Sequence, residues 1–232
     1  MTYRLPLLVF AALAASVPAS AAERNFTVTG FDRIRIDGPY RVRLTTGVAP
    51  FAKASGSAAA LNGVSIEVQG KTLIVRKNQS GWGSYPGEGP GPIEIAIGTH
   101  ELSTAWLNGA GSLAIDKAKG QSFDLSVQGA GSIAVGRLTV DRLRAGISGS
   151  GSAVVGGTAA EVKAIVRGTS TFDGSALTAK DATVGAEGNS VVRLTATNTA
   201  KVDALGIATV ELGGRPACTL REVGSAVVSG CR

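Results

Sequence analysis

Gly109-Ala110-Gly111-Ser112-Leu113-Ala114-Ile115 returns as Gly129-Ala130-Gly131-Ser132-Ile133-Ala134-Val135, and again as Gly149-Ser150-Gly151-Ser152-Ala153-Val154-Val155. Looser copies begin at Gly168, Gly188, Gly206 and Gly224, so the leading glycines stand 20, 20, 19, 20, 18 and 18 residues apart. A steady period of this length marks an architecture in which one short unit stacks on the next. Two alternating stretches meet at each glycine. Two residues before it, the column reads Leu107, Val127, Ile147, Val166, Ala186 and Ala204, and breaks at Glu222. Four before it come Ala105, Leu125, Ala145, Ala164, Val184, Val202 and Leu220. Four after it come Leu113, Ile133, Ala153, Phe172, Val192, Val210 and Val228.

Period-2 alternation puts one set of side chains on each face of a strand. The glycine supplies the bend between strands, where a Cβ would crowd the turn. One such coil cannot bury its own apolar face, but coils stacked about 4.8 Å apart join their faces into one core. Helical periodicity is absent, and glycine recurs in every unit. The sequence therefore predicts an all-β fold: a single-stranded parallel β-helix, or solenoid, of about 20-residue coils. The handedness rule for parallel crossovers gives it the right-handed form. Charges in the outward columns, such as Asp124 beside Arg144, or Asp173, Arg193 and Glu211 in line, are expected to pair between successive coils.

Residues 26–98 are β-rich but less regular. Ile34 to Leu44 reads as two alternating strands broken by Gly38-Pro39, and Val64–Val68 with Thr72–Val75 reads as a hairpin. A Gly/Pro-rich loop carrying Trp82 and Tyr85 leads into the strand Ile93–Ile97. The expected layout is a β-rich part over 23–98 capping regular coils over 99–232, the two forming one continuous domain. A cap is needed because an open coil end is a template for aggregation. Cys218 and Cys231 are expected to form a disulfide that closes the other end, Cys218 falling in an inward column.

Residues 1–22 hold Arg4, an apolar run from Leu5 to Ala15, and Ala19 and Ala21 in an A-x-A arrangement, the pattern of a cleaved signal peptide. The apolar run is shorter than the roughly 20 residues a spanning helix needs, so no transmembrane segment is expected in the mature chain. Export to the periplasm, the cell surface or the medium follows. Without Arg4 the chain carries 22 basic and 17 acidic residues, a net +5 that solubility alone accounts for. That excess and the exported address exclude nucleic acid as a partner.

The segment Phe31 to Val42, the hairpin with Gly70-Lys71-Thr72-Leu73-Ile74-Val75, and the repeated Gly-Ala-Gly-Ser together resemble the auto-transporter adhesin head domain family, the head GIN domain. The resemblance runs from about residue 30 to about 215. It implies a β-helix in the bacterial cell envelope and supplies no catalytic residues.

Candidate chemistry is sparse. His100 is the only histidine, so a histidine-based metal site or a Ser-His-Asp triad would have to depend on it, and its place before the first clear coil reads as a surface or capping residue. Asp116, Asp124, Asp141, Asp173 and Asp203 occupy different columns, so no two acids are expected in register on adjacent coils. Calcium-binding turns would need Asp where these coils have Ser, Ala or Val. No cofactor, metal or catalytic residue is assigned. Two binding candidates remain. Arg33, Arg35, Arg41 and Arg43 alternate with apolar residues and predict an outward basic patch for an anionic glycan or an envelope protein. Trp82, Tyr85 and the outward Trp106 could stack on sugar rings. The sequence thus points to a non-enzymatic, adhesin-like binding or scaffolding protein. The alternatives are a polysaccharide lyase or hydrolase of the parallel β-helix type, and a self-assembling structural subunit.

Overall fold

The structure, a computed structural model, describes residues 22–78 and 91–232. In chain order the first elements are β1 (Ala22–Phe26), β2 (Arg33–Asp37), β3 (Arg41–Thr46), β4 (Phe51–Gly56), α1 (Ala58–Asn62), β5 (Val64–Gln69), β6 (Thr72–Lys77), β7 (Glu94–Thr99) and β8 (Thr104–Asn108). Long bent strands follow, each making most of a coil: β9 (Ser112–Gly129), β10 (Ser132–Gly149), β11 (Ser152–Gly168), β12 (Thr171–Gly188) and β13 (Val191–Gly206). The chain closes with β14 (Thr209–Gly213), β15 (Ala217–Gly224) and β16 (Val227–Ser229). From β8 onward each coil pairs in parallel with the next, which makes the expected β-solenoid.

The glycine corner sets the register. Gly129, Gly149, Gly168, Gly188, Gly206 and Gly224 lie directly over one another. At Gly129 the backbone has φ +101, and a Cβ there would stand 2.9 Å from the Gly109 carbonyl oxygen one coil below. Both the dihedral and the stacking distance exclude other residues. The unequal repeat lengths are absorbed elsewhere, by register shifts between Val135 and Leu138, Val154 and Gly157, and Gly174 and Thr178. The inward columns stay in line and buried from β8 through β14. Phe172, with no exposed surface, is accommodated because its register neighbour below is Ala153. The outward charges pair as the columns foretold: Arg144 with Asp124 at 3.6 Å and Arg193 with Glu211 at 2.9 Å.

The N-terminal part contains a coil of the rod itself. Residues Arg33–Asp37 lie in parallel register on Thr104–Asn108, and Arg41–Leu44 on Ser112–Ile115. Gly38 therefore occupies the glycine corner beneath Gly109 and donates its N–H to the Asn108 carbonyl. Below this coil, β6 pairs in parallel with β2 and β7 with β3. The chain thus lays down β2 and β3, leaves to build the layer beneath them, and returns above them as β8 and β9. Antiparallel strands then end the stack, with β5 on β6, β4 on β7 and β1 on β4. The short helix α1, capped by the Ser57 hydroxyl accepting from the Ala60 N–H, tucks Ala60 and Leu61 into the core at this end.

At the other end Cys218 takes its place in the inward column over Ala200 and is joined to Cys231 by a disulfide, with Cα atoms 5.7 Å apart. Arg232 donates its N–H to the Pro216 carbonyl, closing the last coil on itself.

Candidate functional site

The four arginines do not form one patch. Ile34 and Ile36 on β2, and Val42 and Leu44 on β3, are buried in the same core. The chain therefore wraps that core at Gly38, and the alternating arginines leave it on two different sides. On the β2 side, Arg35 pairs with Asp37 at 2.9 Å and Arg33 lies 3.6 Å from Asp32, so both charges are answered locally. Trp106 is half-buried on this side, between Arg35 and Ser126 in the sheet register. Trp82 and Tyr85 lie outside the described residues.

On the β3 side, Arg41 and Arg43 are exposed, and among the described residues neither has a carboxylate within ion-pairing distance. Their register neighbours are Glu94 and Ala96 on β7 and Ser112 and Ala114 on β9, followed by Ser132 and Ala134 on β10. Small side chains thus make a flat floor beside two free guanidinium groups. Lys53 on β4, opposite Ala96 and paired with Glu23 at 2.6 Å, closes the far side. Together these residues line a shallow depression of about 390 Å³. The alternation in Arg41-Val42-Arg43-Leu44 signalled the arginines; nothing in the sequence signalled Lys53, which arrives on an antiparallel strand.

The acids need a correction. Glu161 and Asp181 are direct register partners on adjacent coils, contrary to the expectation that no two acids are in line. Both stand seven residues before their leading glycines, a coincidence legible once glutamates are counted with aspartates. With Lys180, Thr199 and Lys201 they line an open groove of about 520 Å³. Asp181 accepts from the Thr199 hydroxyl at 2.5 Å and the Asn198 amide at 2.8 Å, and these bonds hold its carboxyl below the ordinary range. Asp173 is lowered likewise by the Ser175 hydroxyl and N–H, with Arg193 adding to the effect. Asp116 accepts from the Thr46 N–H at 3.0 Å and so ties β3 to the coil above. His100 is exposed, its carbonyl accepting from Gly47. Among the described residues no group of three or more His, Cys, Asp or Glu could hold a metal ion, and no helix is long and apolar enough to cross a membrane.

A family profile described as "Putative auto-transporter adhesin, head GIN domain" matches residues 30–216. Among solved structures, a protein from Bacteroides fragilis described as a putative adhesin is similar, with 16% identity and a TM-score of 0.75; the likeness covers 91% of this chain and 96% of that one. A protein from Parabacteroides distasonis described as a putative lipid binding protein is 17% identical, with a TM-score of 0.71, covering 90% and 96%. A putative adhesin from Parabacteroides merdae is 15% identical, with a TM-score of 0.67, covering 90% and 95%. At such identities the likeness is one of fold. No curated protein matches the chain.

Proposed function

The chain belongs to the auto-transporter adhesin head GIN domain family, and from that membership we propose a non-enzymatic, exported, adhesin-like rod whose β3–β9–β10 face binds an anionic glycan of the cell envelope. The observation that carries this reading is the pair of unanswered guanidinium groups, Arg41 and Arg43, beside the flat Ser112-Ala114 and Ser132-Ala134 floor. A guanidinium is a planar fork of donors matched to carboxylate, sulfate and phosphate groups. Paired strands fix the backbone that carries the two forks, so only the side chains remain to be ordered on binding. The low floor lets an extended sugar chain lie against the sheet within reach of both.

The in-register pair Glu161 and Asp181 gives the second reading, a polysaccharide-acting enzyme, its specific support. The surroundings favour the first. A general acid needs its carboxyl raised toward neutrality by burial or by a neighbouring anion. Asp181 is instead lowered by its hydrogen bonds, and the groove is open.

A glycan array spanning uronate-, sulfate- and phosphate-bearing polymers beside neutral ones tests the proposal. The expected result is selective retention of acidic polymers that weakens with salt, and about a tenfold loss for each of Arg41→Ala and Arg43→Ala, the size of a lost charge-assisted bond. Equal binding of neutral polymers, or binding indifferent to both substitutions, would remove its basis. New reducing ends or unsaturated products that vanish in Glu161→Gln or Asp181→Asn would establish the enzyme instead.

A further inference from the structure

The corner column just before the leading glycines is polar along most of the rod and turns aliphatic in the last two coils. Immediately before the leading glycines stand Asn108, Gln128, Ser148, Arg167 and Glu187, and then Leu205 and Val223, which are register partners. Ile207 follows the corner glycine Gly206 and is 58% exposed, and Val227, over Thr209, is 58% exposed as well. Val223 is 48% exposed. Leu220 adds to them: its column mates one coil after another are buried, whereas Leu220 is 44% exposed because no coil lies above it. The residues after Gly213 carry Arg215, Arg221 and Arg232, all exposed and without ion-pair partners among the described residues, against one carboxylate side chain, Glu222; Glu211 just before them is taken up by Arg193. Arg215 is also the one non-glycine residue at positive φ, 55°, among the described residues. A side chain is thus held where glycine would sit at lower energy.

We propose that this end of the rod is a docking tip for an anionic lipid surface, the aliphatic side chains entering the interface while the arginines meet the headgroup phosphates. Exposed aliphatic groups rimmed by cations are the composition that binds an anionic bilayer interface. The position of Glu222 argues against a second copy of the chain as the occupant. It stands in the inward column of Val127, Ile147 and Val166, where a rod stacked end to end would enclose its carboxylate in a core that supplies no cation. A hydrated headgroup layer leaves both that carboxylate and the open edge of β15 solvated. The proposal is independent of the glycan face, which lies on the side of the rod at β3.

Co-flotation of the protein with phosphatidylglycerol vesicles and with phosphatidylcholine vesicles is the test. Binding should favour phosphatidylglycerol and fall as salt rises. It should weaken about tenfold in the double variant Val223→Gln, Val227→Gln and about fivefold for each of Arg215→Gln and Arg221→Gln. These positions are exposed, so unfolding midpoints should not move. Four outcomes would overturn the proposal: vesicle binding unchanged in all these variants; equal binding to both lipids; vesicle binding lost in Arg41→Ala, Arg43→Ala, which would assign it to the side face; or a concentration-dependent dimer abolished by Val223→Gln, Val227→Gln, which would make a second copy the occupant.

Discussion

Alanine placed at Gly129 and at Gly146 should change stability in opposite directions, although both glycines lie in long strands of successive coils, Gly129 at the end of β9 and Gly146 within β10. At Gly129 the backbone has φ +101, and the new Cβ would stand 2.9 Å from the Gly109 carbonyl oxygen and 3.3 Å from the Gly109 N and Cα. Relief requires either rotating the corner out of its dihedral or prising two coils apart, and the second breaks the hydrogen bond from the Ala130 N–H to that same carbonyl. Strained backbone of this kind costs about 1–3 kcal/mol, and a weakened ladder bond adds about 1 kcal/mol. A loss of roughly 2–4 kcal/mol follows for Gly129→Ala. At Gly146 no heavy atom lies within 4 Å of a built Cβ and φ is not positive. There the substitution only reduces the freedom of the unfolded chain and should stabilise by about 0.5–1 kcal/mol. Urea unfolding of both variants, followed by far-ultraviolet circular dichroism, separates them. Coils interact mainly with their neighbours, so hydrogen exchange in β9 and β10 should localise the Gly129 defect. Coincident midpoints, or a Gly146 variant less stable than the Gly129 one, would refute the assignment of stacked corner and open outward column.

Reduction, or Cys218→Ser with Cys231→Ser, should release the last coil while leaving the middle of the rod intact. A closed loop of this size contributes about 3 kcal/mol, so exchange protection should vanish over β15 and persist over β10–β12. The carboxyls of Asp173 and Asp181 are held below their ordinary value of 3.8 in the folded protein. Their contribution to stability is therefore fully present above that pH and is lost as pH falls through the lowered folded values. Carboxyl NMR titration should place both midpoints under 3.8, and Asp181→Asn should flatten the acid limb of the stability curve. A midpoint at or above that value would show that the Thr199 and Asn198 bonds do not persist in solution.

The regular coils were legible because three demands fall on the same residues at a fixed interval. The corner needs glycine, the columns on either side need apolar groups, and the outward positions tolerate anything soluble. The coil at residues 33–46 satisfies the same demands. Ile34 and Ile36 precede Gly38 by four and two residues, and Val42 and Leu44 follow it by four and six, as Leu113 and Ile115 follow Gly109. It escapes a search for a period because the next glycine in its column is Gly109, after an excursion through β4, α1, β5, β6 and β7. Periodicity reports repeats that are adjacent in the chain, while stacking requires only that they be adjacent in space.

That hidden coil also decides what the arginines can do. Read as an irregular cap, Arg33, Arg35, Arg41 and Arg43 form one patch at the end of the molecule. As a coil they are split by the Gly38 corner, and only the β3 pair faces a floor of small side chains extending to β9 and β10. The acidic residues that neutralise the other pair are local, Asp32 and Asp37, each next to or two residues from its arginine. Arg41 and Arg43 have Tyr40, Val42 and Leu44 there instead. Their nearest acidic neighbour in the sheet, Glu94, comes from β7, and it makes no ion pair with either. The same alternating pattern therefore yields ion pairs on one side of the bend and, among the described residues, guanidinium groups without a carboxylate partner on the other, which is why the proposed anionic ligand is assigned to the second.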